Sequence, residues 1–201
     1  AQIPPGANMK QDFHYSITNW LPLYRQTFQQ TTRYTYLLDV SDLQKVLDGV
    51  NRNIRRNIKK VSEQIKIEHW DDPERFYIVN KKSFDRQNIR IPYTLAHFLR
   101  HDAALSLQQR RKFFFAVDQR DQLHSASYVI WDDQVAYYHL AGDDPQFRQH
   151  GAGILLIWEA IQFLHNELGI STLDFEGSMM ENVEAIRRQF GAIQTPYFSI
   201  S

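Results

Sequence analysis

The stretch "PQFRQHGAG" (145–153) sets Pro145, Arg148, Gly151 and Gly153 between an aromatic-rich alternating run and a long apolar one. A junction of that kind turns a strand into a helix, and the first turn of a helix carries N–H groups with no intrahelical partner at the positive end of its dipole. An anion placed there is held by several donors at once. Glycines at 151 and 153 let the backbone come close to such a ligand, and Arg148 adds a charged fork. The segment Arg148, Gln149, His150, Gly151, Ala152, Gly153 is therefore a candidate phosphate cradle. A tight turn that needs glycine for steric reasons alone is the competing reading, and this stretch in isolation does not separate the two. Other phosphate loops fit worse: "GAGILL" has Leu156 where a dinucleotide fingerprint needs its third glycine, and no "GK[ST]" exists.

A second group of residues suits proton transfer. In "LDFEG" (173–177) Asp174 and Glu176 alternate with Leu173 and Phe175, so both carboxylates are expected on one face of a strand. A carboxylate beside a cleft, with its pKa lifted by partial burial, is a reasonable general base. The alternative is that the two acids anchor neighbouring backbone by hydrogen bonds. His139, on an adjacent alternating run, is the rival base, and a lone strand histidine is more often structural. His97 and His101 have the i, i+4 spacing of a chelating pair, but no acid cluster supports them, and no metal site is expected. Arg52, Arg55, Arg56, Lys59 and Lys60 form a basic stripe of the kind that is usually solvated surface; contact with an anionic ligand is the other reading.

The elements that must position these residues follow from periodicity. "YTYLLDV" (34–40) reads as a strand, and "SDLQ" as a capping box with Ser41 as cap. Leu43, Leu47, Val50, Ile54, Ile58 and Val61 recur at three- and four-residue steps, which predicts one helix with a single buried face. Segments 73–88 and 92–108 each open on proline and are expected to be helical. Runs 111–119, 123–131 and 134–142 predict a three-stranded meander. A helix over 150–168 closed by Gly169, a strand over 171–177, a helix over 181–190 and a final strand complete the order. This predicts an α/β (α+β) fold with a mixed, mostly antiparallel sheet flanked by helices on both faces. Residues 1–33 read as a lead-in segment and 34–201 as the domain.

Bulk properties bound the function. The 201 residues suit one domain and bury enough surface to fold without staples. No cysteine is present, which excludes disulfides, thiolate metal sites and a cysteine acyl-enzyme, and is easiest to reconcile with the cytoplasm. Lys+Arg 23 against Asp+Glu 23 leaves no global field for nucleic acid or anionic membrane. Apolar runs such as "ILLIW" (154–158) are far too short for a membrane span. The chain opens on Ala1 with no signal pattern, and is expected to be a soluble piece, processed or trimmed at its N-terminus.

Pro145-x-x-Arg148-x-x-Gly151-x-Gly153 resembles the pyrophosphate signature of GNAT acyltransferases. With "NRNIRRNIKK" (51–60), "AYYHLAG" (136–142), "LDFEGSM" (173–179) and "FGAIQTPYF" (190–198), the chain resembles the Fem-type branch, whose members include enzymes adding amino acids to peptidoglycan precursors. Fem-type proteins carry two GNAT-like halves, and this chain is long enough only for the second, so an N-terminal half is the expected partner. The resemblance implies an N-acyltransferase that moves an acyl group from acetyl-CoA or another acyl-CoA to an amine acceptor, in cell-envelope or polysaccharide metabolism. It places the donor between 134–142 and 172–176, with backbone donors near Leu140, Ala141 and Gly142 facing the thioester oxygen. Direct transfer is expected, with Ser178 a remote nucleophile. The tyrosine acid that many GNAT proteins place after "NxxA" is replaced by Gln189 here, which leaves Tyr197 just downstream. Two alternatives stand beside this reading. One is transfer from charged tRNA, against which neutral charge and the lack of a long helical-hairpin insertion argue. The other is a non-catalytic half that serves as a binding module.

Overall fold

A computed structural model describes residues 9–177 and 181–201. It contains β1 (Gln11–Asp12), α1 (Leu21–Tyr24), β2 (Gln30–Asp39), α2 (Leu43–Gly49), α3 (Arg52–Ser62), β3 (Ile65–Glu68), α4 (Pro73–Asp85), α5 (Leu95–Leu107), β4 (Arg111–Asp118), β5 (Leu123–Trp131), β6 (Val135–Asp143), α6 (Ala152–Phe163), β7 (Thr172–Asp174), α7 (Glu181–Gln189) and β8 (Ile193–Ile200). The strands form one sheet in the order β1-β8-β2-β7-β6-β5-β4-β3. Among the described residues only the β6–β7 pairing is parallel, and the other six are antiparallel.

Alternation divides the side chains between two cores. Tyr36, Leu38, Phe114, Val129, Tyr138 and Leu173 face α2, α3, α6 and α7. Phe113, Phe115, Ala126 and Tyr128 face α4 and α5 on the other side. Helix α6 is buried on several sides through Leu155, Leu156, Ala160 and Ile161, so its N-terminus is fixed against the sheet. It runs into one π turn at Leu164–Leu168 and stops at Gly169, whose φ of 65° is left-handed.

The single helix expected over 43–61 is two helices. Val50 is extended at ψ 132°, and Asn51 caps α3 by accepting from the N–H of Asn53 at 2.8 Å. The cap of α2 is Asp42, which accepts from the N–H groups of Gln44 and Lys45, while Ser41 is bonded to Asp39. Asp42 wins because an ionised oxygen is a stronger acceptor than a hydroxyl. Thr94, not Pro92, opens α5, and Pro73 does sit at the first position of α4 behind Asp72. Strand β3 was not expected from the sequence. Strand β2 begins four residues before 34, and β7 ends at Asp174. The lead-in is stitched to the chain's end, with Phe13 donating to Phe198 O and Gln29 exchanging backbone bonds with Ser201. Among the described residues no helix is long and apolar enough to cross a membrane.

Candidate active site

Strands β6 and β7 pair from Val135↔Thr172 to Tyr137↔Asp174 and then part, because β7 ends while β6 runs on to Asp143. The register of β5 against β6 shifts at the same level: Tyr128 faces Leu140 and Val129 faces Tyr138, leaving His139 as the extra residue of a bulge. A cleft of about 550 Å³ opens there. Tyr138, His139, Ala141 and Asp143 line one wall, Arg148, Gly151 and Gly153 one end, and Ile186 and Arg187 of α7 the other wall.

The backbone of β6 shows which donors are free. Asp144 donates to His124 O, which makes Ser125↔Asp143 a widely spaced pair. By alternation Leu140 and Gly142 then direct their N–H groups to β5, and Ala141 and Asp143 direct theirs to the open edge. Helix α4 takes up most of that edge. Asn80 Nδ2 donates to Ala141 O at 2.7 Å, and Ser83 Oγ accepts from Asp143 N at 2.8 Å. The Ala141 N–H remains, so the donor set expected at residues 140–142 narrows to one group. Leu140 packs instead in the core beneath α4, and a Cβ at Gly142 would stand 2.4 Å from Asn80 Cα.

At the far end, residues 148–150 form a 3₁₀ turn and Gly151 takes a φ of 77°. A Cβ there would meet Asn57 Oδ1 at 2.6 Å. The left-handed φ favours glycine at 151, and the same turn also closes the cleft, so the two readings of this motif are not exclusive. The N–H groups of Ala152 and Gly153 have no partner among the described residues. Gly153 and Gln149 line the cleft, Ala152 is buried, and His150 turns toward Phe147 and His124.

At the near end, His139 Nδ1 lies 2.8 and 3.0 Å from the two oxygens of Glu176. The contact depends on an unusual backbone: Glu176 has a φ of 51° and Gly177 of 52°. Asp174 holds this turn. It is buried, accepts from Thr35 Oγ1, and accepts from the Glu176 N–H at 2.7 Å. Burial raises its pKa, with the Thr35 bond opposing. The His101 ring lies 5.4 Å from that of His139, and its Nε2 is buried without a partner among the described residues. Burial, then the neighbouring His139, lowers the His101 pKa. Tyr197 sits on β8 opposite Arg33, two strands beyond β7, and the structure does not bring it to the Glu176–His139 pair. Burial is the main reason its pKa is raised. Ser178 lies outside the described residues.

Sequence reasoning missed Arg187. Its guanidinium donates to Phe175 O and Val183 O, lies over the Phe175 ring, and has a pKa lowered by burial. Its place in "ENVEAIRRQF" reads as the charged side of an amphipathic helix, and only the apolar Ile186 and Phe190 near it hint that 187 points inward.

The model of the acetyltransferase (GNAT) domain matches residues 49–182, more than half of the chain, and the chain belongs to that family. Among solved structures it is similar to FemX, with a TM-score of 0.74 and 12% identity over 89% of this chain and 67% of that one. It is also similar to the C-terminal domain of a putative lysylphosphatidylglycerol synthetase from Agrobacterium fabrum (TM-score 0.65, 11% identity, 90% of this chain and 63% of that one). A tandem GNAT protein from the clavulanic acid biosynthesis pathway follows at TM-score 0.57 and 13% identity, over 88% of this chain and 55% of that one. The fold is thus of the Fem-type GNAT kind, and the chain spans about two thirds or less of the length of these neighbours. No curated protein sequence matches it.

Proposed function

We propose that this chain is an N-acyltransferase that moves an acyl group from acyl-CoA directly to an amine. The observation that carries this reading is one continuous cleft lined by His139, which Glu176 holds from behind, and by the glycine turn before α6. Glu176 accepts from His139 Nδ1–H and so fixes the tautomer that leaves Nε2 free to take the acceptor's proton. The amine nitrogen attacks the thioester carbon, the C–N bond forms, and the charge on the oxygen is met by the Ala141 N–H. The C–S bond then breaks, and the thiolate of CoA leaves with a proton from the medium or from His139. Asp174 is a positioning residue that holds the Glu176 turn. The glycine turn, with Arg148, would receive the pyrophosphate. The Fem-type resemblance supports an acceptor of cell-envelope or polysaccharide metabolism and a further GNAT-like half as partner, and the lack of cysteine supports a cytoplasmic setting.

Thermal-shift titration with CoA, acetyl-CoA and longer acyl-CoAs, against ATP and NAD as anionic controls, tests the donor. A ligand at 100 times its dissociation constant adds about 2.7 kcal/mol of stability. A rise confined to CoA compounds, lost in Arg148→Ala, is the expected result. No rise with any CoA overturns the donor assignment and favours charged tRNA or a binding module.

A further inference from the structure

A second concavity adjoins the cleft across Gln149. It holds about 330 Å³ between α3 and the 3₁₀ turn, and its lining includes Arg56, Asn57, Lys60 and Gln64 on one side and Gln149 and His150 on the other. Arg56 and Lys60 are one helical turn apart and share this wall. Among the described residues neither lies within 4.0 Å of a carboxylate, unlike Lys66, Lys81, Lys82, Arg110 and Arg111. Asn57 Oδ1, at the floor beside Gly151, is buried and accepts no hydrogen bond from the described residues.

A basic stripe on a convex helix face needs no ligand, because water solvates it. Here two uncompensated cations stand in a hollow that shares a wall with the donor cleft, and an acceptor oxygen is left without a donor. A buried oxygen of this kind ordinarily finds a partner. A phosphomonoester would satisfy the cations, and a hydroxyl or exocyclic amine on the same ligand would satisfy Asn57. Acyl-CoA carries both groups beyond its pyrophosphate, on a 3′-phosphorylated adenosine. We propose, resting on the donor reading above, that the α3 hollow seats this 3′-phosphonucleoside end, with Arg56 and Lys60 on the phosphate and Asn57 on the sugar or base.

Calorimetric titration with CoA and with dephospho-CoA, which lacks only the 3′-phosphate, tests the assignment. The intact chain is expected to bind CoA at least about tenfold more tightly than dephospho-CoA, the lower end of what a charge-assisted hydrogen bond gives. The double variant Arg56→Ala/Lys60→Ala should lose that preference while binding dephospho-CoA as before. Arg55→Ala/Lys59→Ala removes the same charge outside the hollow and should keep the preference. Added salt should narrow it. Equal binding of the two ligands to the intact chain, or equal loss in both double variants, overturns the hollow but leaves the donor reading standing. Binding of neither ligand overturns the donor reading, and the hollow's assignment with it.

Discussion

Glu176 and His139 were rivals for one role in the sequence, and the fold makes them partners. Under the proposed function their pairing gives a direct expectation: His139→Gln would remove the proton acceptor and should lower turnover about 10²- to 10⁴-fold. Glu176→Gln offers an amide N–H to Nδ1 and so favours the wrong tautomer, and its loss should also be about 10²-fold or more. Steady-state kinetics on the two folded variants decide it, and unchanged turnover in Glu176→Gln would remove the pair from the mechanism. His101 supplies a second test, in stability rather than rate. Burial, reinforced by His139, lowers its folded pKa below the ordinary 6.5. Between that lowered value and 6.5 the unfolded chain binds more protons, so stability rises with pH through the window and is lost as pH falls. His101→Gln should flatten this slope in urea unfolding at pH 5 to 7, and an unchanged slope would mean that other groups set it.

At the scale of elements, the site rests on α4 clamped to the open edge of β6. Gly142 has Asn80 Cα 2.4 Å from where a Cβ would be, so Gly142→Ala must push the helix off the strand. Overpacking against backbone costs about 3 kcal/mol, and the shift would also free Ala141 O from Asn80. Urea unfolding should show the loss, and a variant as stable as the parent would mean that the clamp gives way freely. Little of this clamp is legible in "AYYHLAG", because a bulge is a relation between two strands and leaves no mark in either. The meander, α6 and its Gly169 stop were legible, since their periods are uninterrupted over many residues. The break between α2 and α3 was hidden because Leu47, Val50 and Ile54 stay in helical phase across Asn51. "IKIE" was missed because its four residues alternate with charge and follow directly on a helix. The bond from Glu176 to His139 joins residues 37 apart through a left-handed turn, which strand alternation alone does not foresee.

Taken whole, the molecule is larger than the family domain within it. Residues 49–182 include β3 through β7 but leave out β2 and β8, which lie beyond β7 in the sheet. Strand β7 has three residues, and its outer edge is closed by β2. The turn carrying Glu176 hangs from that same strand: Phe175 N donates to Tyr36 O, Thr35 holds Asp174, and Gly177 packs within reach of Tyr34 O. A fragment of 49–182 would therefore lose the support of the turn that carries Glu176. It would also lose Tyr36, Leu38, Val40, Val46, Phe190 and Ile200 from the core, all at most 5% exposed. Each fully buried side chain contributes about 1.5–3 kcal/mol, and a domain's net stability is about 5–15 kcal/mol. Losses on that scale consume the whole margin. The fragment should show no cooperative thermal transition, and restoring residues 30–48 and 183–201 should restore both the transition and the shift with CoA. A fragment that melts cooperatively near the parent's midpoint and still binds CoA would show that β2 and β8 are additions to the site rather than part of its frame.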